Sequence, residues 1–186
     1  MYKMINFNFD KVSYLSKETI YYHIILYNRY LDNLNKLLIK NKFDFNISKE
    51  DIIRNLELFN IEDRESILFN LGGVLNHELY FKCITSNIDN IMDIIISKYK
   101  SYDNFKNEFK KIALTLKGSG YTFLVLDTSN NLDIINLSNQ MTPLIYNFKP
   151  LIALDIWEHA YYIDYKVDKN LYIDEFLNNL NSKKYL

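Results

Sequence analysis

The segment Leu154-Asp155-Ile156-Trp157-Glu158-His159-Ala160-Tyr161-Tyr162 carries the single tryptophan and one of only three histidines in a chain of 186 residues. An apolar run of β-formers, Pro150–Ile156, delivers Asp155 near its end, and Trp157 to Tyr165 reads as a helix start that presents His159. The other histidines, His23 and His77, each lie in a helical pattern. A lone helical histidine is ordinarily a packing or surface residue, so the question is whether all three converge with Asp155. Neutral imidazoles with one carboxylate suit Mn, Fe or Zn. The lack of a cysteine among them argues against a closed structural zinc site, and an open coordination position means catalysis or ligand binding.

Outward from this segment the pattern divides in two. Tyr121–Asp127, Leu132–Leu137 and Pro150–Ile156 are apolar runs of β-formers, and Thr128-Ser-Asn-Asn131 between the first two is turn chemistry, which together predict a small antiparallel sheet. Upstream, apolar residues recur at helical spacing over Ser16–Lys40, placing His23, Tyr27 and Tyr30 on one face. A second long helix over about Arg64–Thr85 carries His77, with a shorter one at Asp51–Leu58 between them. Further helices are expected near Ile88–Lys98, Ser101–Lys117 and Tyr172–Asn181. The fold class is therefore α+β. An N-terminal antiparallel helical hairpin occupies residues 1–87, and a C-terminal α/β domain with a three-stranded antiparallel sheet occupies 88–186, with a site at their seam.

Composition narrows the setting. At 48% hydrophobic the chain can bury one good core. A net charge of -1 argues against a general nucleic-acid binder, and the one cysteine, Cys83, rules out an intrachain disulfide framework. The Ile-rich stretches are broken by charge, so no membrane span is expected. Met1 to Asp10 is unlike a signal or transit peptide, which makes a cytoplasmic location the expectation.

Five blocks then carry a resemblance. Thr19-Ile-Tyr-Tyr22-His23, Asn76-His77-Glu-Leu-Tyr80-Phe81, Gly118-Ser119-Gly120-Tyr121-Thr-Phe123, Ser138-Asn139-Gln140-Met-Thr-Pro143 and Asp155-Ile-Trp157-Glu158-His159-Ala-Tyr161-Tyr162 look like the signature blocks of iron/manganese superoxide dismutases, in the right order. The resemblance implies that His23, His77, Asp155 and His159 hold one metal ion per subunit, and that superoxide is converted to dioxygen and hydrogen peroxide as the metal alternates between two oxidation states. It implies manganese, with iron possible, because Gly73 lies four residues before the second histidine and Gln140 comes from the sheet side, as in manganese-type members. Gln140 and a gateway tyrosine, Tyr30, would serve the proton route. Glu158 and Tyr162, beside Trp157, match residues that reach across a homodimer interface, with a tetramer as a further possibility. Lys169 stands where an arginine usually steers the anion.

The chain also departs from the family pattern. It is one residue shorter between His23 and Asn33-Leu34-Asn35, so Tyr30 falls at i+7 instead of i+8, and a bulge of the kind common at functional sites is expected to be lost. The paired histidines of that segment are replaced near Tyr27 and Asn28. Phe81, Tyr121 and Phe123 stand where tryptophans are usual, and the terminal Asn-Trp becomes Asn181-Ser-Lys-Lys. Such drift leaves a second reading, a non-catalytic structural subunit with this fold, such as a mitochondrial ribosomal protein. An intact ligand set favours the enzyme.

Overall fold

The computed structural model describes residues 1–86 and 88–180. The expected domain boundary at residue 87 and the altered terminus from Asn181 lie outside them.

Helix α1 (Lys17–Lys40) starts where Ser16, in extended conformation, accepts from the Thr19 backbone N–H at 3.1 Å. Its buried face runs through Thr19, His23, Tyr27, Leu31, Leu34 and Leu38 at the spacing of three and four that a core-facing helix requires. Every residue of α1 is α-helical, so the expected loss of a bulge is what the backbone has. Helix α2 (Lys49–Arg54) is followed by a 3-10 turn at Leu56–Leu58, in place of one helix over Asp51–Leu58. Asn55 makes the break: its side-chain amide donates to the Asp51 carbonyl at 2.7 Å while its own backbone leaves the helical region.

Helix α3 (Ile61–Thr85) begins three residues earlier than the periodicity predicts, with Glu62 and Asp63 in its first turn. Lys40 at the end of α1 pairs with Asp63 at the start of α3, while His23 near the start of α1 meets Tyr80 near the end of α3. The two helices therefore run antiparallel. From Leu71 to His77 every residue of α3 is buried, because α1 covers one side and the sheet and its following loop cover the other.

Helices α4 (Asp89–Tyr99) and α5 (Tyr102–Thr115) lead to the sheet, formed by β1 (Gly120–Leu126), β2 (Leu132–Ser138) and β3 (Lys149–Asp155). The order is β2-β1-β3, all antiparallel. The central strand β1 is buried along nearly its whole length. The hairpin closes because Asp127 Oδ1 accepts from the N–H groups of Ser129 and Asn131, both at 2.8 Å. Pro150 is tolerated because β3 is an edge strand, and it sits where the register shifts against Val125.

After β3 the expected helix is a 3-10 turn, Glu158–Ala160, followed by the single turn α6 (Tyr162–Tyr165). The tight turn follows from Asp155 itself, whose Oδ1 accepts from the Trp157 N–H at 2.8 Å and bends the chain sharply off the strand. Helix α7 (Lys169–Asn179) completes the described chain, capped by the Asp168 side chain accepting from Leu171 N–H. The N-terminal residues have no regular secondary structure but are packed. Tyr2 and Asn35 exchange two hydrogen bonds at 3.0 Å, and Phe7 and Phe9 stack edge-on against Phe81. No described helix is long and apolar enough to cross a membrane.

Candidate metal centre

Three elements bring the four candidate ligands together. His23 comes from α1, His77 from α3, and the end of β3 with its 3-10 turn supplies Asp155 and His159. One donor atom from each lies within 4.8 Å of the others. His23 Nε2 is 3.3 Å from Asp155 Oδ2, and His159 Nε2 is 3.5 Å from the same oxygen. Because the Trp157 N–H occupies Oδ1, only Oδ2 of the carboxylate faces the histidines.

The orientation of His77 is set by its own helix. Its Nδ1 donates to the Gly73 carbonyl at 2.6 Å, so the proton is on Nδ1 and Nε2 presents a lone pair to the cluster. That Nε2 is buried without a hydrogen-bond partner, as is His159 Nε2. Buried polar atoms are rarely left unpaired. Two buried, unpartnered imidazole nitrogens within 4.8 Å of a third imidazole and a carboxylate oxygen are a donor set that a bound cation completes, and the residues fit a metal ion.

Electrostatics agree. Burial lowers the His77 pKa to about 3, with the neighbouring His23 acting in the same direction. Burial also lowers that of His23, although Asp155 opposes it. Burial alone would push the Asp155 carboxyl up, but the imidazoles of His159 and His23 outweigh it and hold the group below the usual carboxylate range. Burial disfavours charge on His23 and His77 while Asp155 stays ionised, which leaves a negative charge in a dry interior, and a cation offsets it.

Aromatic rings wall the cluster. Phe81 packs edge-on against His23 at 5.0 Å, Tyr80 lies 5.2 Å from His23, and Trp157 stacks on His159 at 5.7 Å. Tyr121, paired across the sheet with Asp155, places its hydroxyl 3.4 Å from His77 Nδ1.

Two profiles of one family cover the sequence. The α-hairpin domain of iron/manganese superoxide dismutases matches residues 4–85, and the C-terminal domain matches residues 87–185. The chain belongs to the iron/manganese superoxide dismutase family. Relatives include a "Superoxide dismutase [Mn]" of Buchnera aphidicola, 34% identical over 89% of this chain and 83% of the relative. A "Superoxide dismutase [Fe]" of Bordetella pertussis is 36% identical over 87% and 83% of the two chains. The "Superoxide dismutase [Fe]" of Escherichia coli K12 is 35% identical over 88% and 83%. Family, fold and cluster make this chain a superoxide dismutase with one metal site of the three-histidine, one-aspartate type, for manganese or iron.

The remaining residues singled out in the sequence fall in different places in this dismutase. Tyr30 and Gln140 reach the cluster together. Tyr30 lies 5.4 Å from His77, ring to ring, and its hydroxyl accepts from Gln140 Nε2 at 3.1 Å. Burial raises the Tyr30 pKa, and the Gln140 amide partly offsets this. Gln140 Oε1 is buried without a partner. Glu158 and Tyr162 are exposed, on either side of the turn that holds His159. Lys169 is half-buried at the first position of α7.

Several residues went unassigned in the sequence. A Cβ on Gly72 would lie 1.9 Å from the Gln140 carbonyl oxygen, so the Gln140 backbone rests directly on α3. Asn76 Nδ2 donates to the Met141 carbonyl at 3.1 Å and pins the same loop. Tyr172 donates to the Asp155 carbonyl at 2.9 Å from behind the strand. Tyr27, in the segment that lost the paired histidines, donates to Glu78 Oε1 at 2.7 Å and accepts from the Ile5 N–H at 3.2 Å. Lys49 pairs with the same Glu78 oxygen. Adjacency of Asn76 and Glu78 to His77 was the one signal available for two of these.

Proposed function

We propose that His23, His77, Asp155 and His159 hold one manganese ion per chain and that Tyr30 and Gln140 form the proton-handling pair of the reaction. The observation that carries the choice of metal is the direction from which the amide arrives. Gln140 comes from the loop after β2 and crosses α3 where residues 72 and 73 have no side chains. A metal bound by this set supplies the redox step, taking an electron from one superoxide and giving it to a second.

The chain's own part is positional. Forming hydrogen peroxide from the second superoxide needs two protons, and Tyr30, half-buried beside His77, carries an exchangeable hydroxyl. Gln140 Nε2 holds that hydroxyl in place, and the packing of Phe81, Tyr121 and Trp157 keeps bulk water from the imidazoles. Lys169 adds positive charge for steering an anionic substrate. Its replacement by glutamate is expected to lower kcat/KM and to weaken the decline of rate with salt.

Two exposed groups support a homodimer. Glu158 and the 48% exposed Tyr162 flank His159 on the protein's surface. Sedimentation of the wild type and of Glu158→Ala tests this: a dimer that dissociates on substitution supports the interface, and a wild-type monomer overturns it. The metal is tested by preparing the protein with both metals present, measuring bound metal, and assaying each reconstituted form. Activity confined to the manganese form is expected, and activity with iron alone overturns the assignment.

A further inference from the structure

His23 comes from α1 and His159 from the turn before α6, and a clamp of hydrogen bonds joins those two elements outside the ligand set. Asp164 Oδ2 accepts from the Ser16 backbone N–H at 2.9 Å and from the Thr19 hydroxyl at 2.7 Å. Tyr165, the next residue, donates its hydroxyl to the Tyr14 carbonyl. Ser16 Oγ in turn accepts from the Thr19 backbone N–H at 3.1 Å. Asp164 thus grips a residue that stands 145 positions earlier in the chain.

A helix that opens on serine often completes its own first turn, because a glutamate or glutamine three residues on reaches back to the N-cap N–H. In α1 that position holds Thr19, and the bond to the Ser16 N–H comes from Asp164 instead. The carboxylate also faces the positive end of a 24-residue helix. The start of α1 is therefore completed by a side chain from another element. Dependence runs the other way too. Helix α6 is a single turn, Tyr162–Tyr165, that follows a 3-10 turn without a side-chain cap. So short a helix is marginal by itself, and its bonds to residues 14–19 set where it lies.

Both ends of the clamp lead to metal ligands. Thr19 is fully buried and precedes His23 by one helical turn on the same face, while the exposed Asp164 follows His159 closely in the chain. The two imidazole rings stand 4.8 Å apart, centroid to centroid. His77 is oriented by a carbonyl of its own helix, and Asp155 by the Trp157 N–H of its own turn. The separation of His23 from His159 depends on how α1 is joined to α6.

We propose that Asp164 is a positioning residue of the metal centre, acting through Thr19 to fix the separation of His23 and His159 and with it the geometry offered to the ion. Without the clamp the start of α1 and the turn before α6 relax independently. The two imidazoles then sample a wider range of separations, which loosens the ion and alters the field that its ligands impose.

This role rests on the reading that the cluster holds a metal, so metal content is measured on every sample. Asp164→Ala removes the acceptor, Thr19→Val removes the buried hydroxyl while keeping the shape of the side chain, and Thr19→Ser keeps the hydroxyl. Tyr102→Phe, which deletes a bond from α5 to the Leu177 carbonyl of α7, is the control for lost stability alone. Each protein is loaded with the metal that the wild type retains, then followed for release to a chelator and by electron paramagnetic resonance of the bound ion. Asp164→Ala and Thr19→Val should release metal about tenfold faster than the wild type, with a shifted zero-field splitting. Thr19→Ser should restore wild-type behaviour, and Tyr102→Phe should melt earlier with release and spectrum unchanged. Wild-type release and spectrum in Asp164→Ala or Thr19→Val, the same changes in Tyr102→Phe, or no rescue by Thr19→Ser overturns the positioning role alone. Wild-type protein that binds no metal overturns the site reading and the clamp's role together.

Discussion

Gln140 Nε2 donates to Tyr30 Oη at 3.1 Å, although the two residues stand 110 positions apart. The contact exists because α3 offers no side chain between them. A Cβ on Gly73 would meet Tyr30 Cγ at 2.6 Å, and one on Gly72 would overlap the Gln140 carbonyl. Two glycines thus let a helix residue and a loop residue meet across a third backbone.

Gly73→Ala should therefore act on Tyr30 before anything else. The added methyl has no room against the ring, and overpacking of this kind costs about 1–3 kcal/mol. Thermal unfolding should fall accordingly and turnover should drop as the Gln140–Tyr30 bond lengthens. Wild-type stability and kinetics in this variant would remove the glycine from its positioning role.

The buried carboxylate makes its own prediction. Asp155→Asn keeps the shape of the side chain but removes the negative charge that the three imidazoles surround. Bound metal should fall far below one ion per chain and dismutation should be lost with it. In the wild type, stripping the metal with a chelator should lower the unfolding temperature, because the ion binds only the folded chain. A chelated protein that melts at the same temperature would contradict this.

Tyr27 has a part that the sequence left blank. Its hydroxyl joins the Ile5 N–H of the N-terminal segment to Glu78 of α3, and Lys49 of α2 completes the junction. Tyr27→Phe should cost about 0.5–1.5 kcal/mol, the net worth of an ordinary hydrogen bond, since Ile5 is exposed and its N–H can turn to water. Amide exchange at Ile5 should quicken while bound metal stays at the wild-type level. Unchanged exchange would mean that the segment is held by its aromatic packing alone.

The clasp at the far end of the hairpin is sensitive to pH. Lys40 donates to Asp63 Oδ1 at 2.7 Å and Asn41 donates to Oδ2 at 2.9 Å, and these bonds hold the Asp63 pKa below the ordinary value. A depressed carboxyl stabilises the folded chain above its unfolded pKa, and that contribution is lost as pH falls through the folded value. Asp63→Asn should therefore be less stable than the wild type at neutral pH, with the difference closing in acid. A difference that grows on acidification would reverse the sign of the argument.

Helical spacing placed α1 and α3, and apolar runs of β-formers placed the three strands, to within a few residues, because the burial each element needs is written into its own apolar residues. The rarity of histidine and the Asp155-to-Tyr162 segment likewise pointed to the four donors. What local pattern misjudged was local competition: Asn55 broke a helix by bonding back to Asp51, and Asp155 drew Trp157 into a tight turn where a longer helix was expected. Contacts between distant segments had no local signal at all. That Gly72 and Gly73 seat Gln140 and Tyr30, that Tyr27 ties the N-terminus to Glu78, and that Asp164 fastens α6 to the start of α1 depend on which backbones approach which. Approach of that kind is decided only when α1, α3 and the sheet pack together, since a sequence records what each residue is and packing alone determines what it touches.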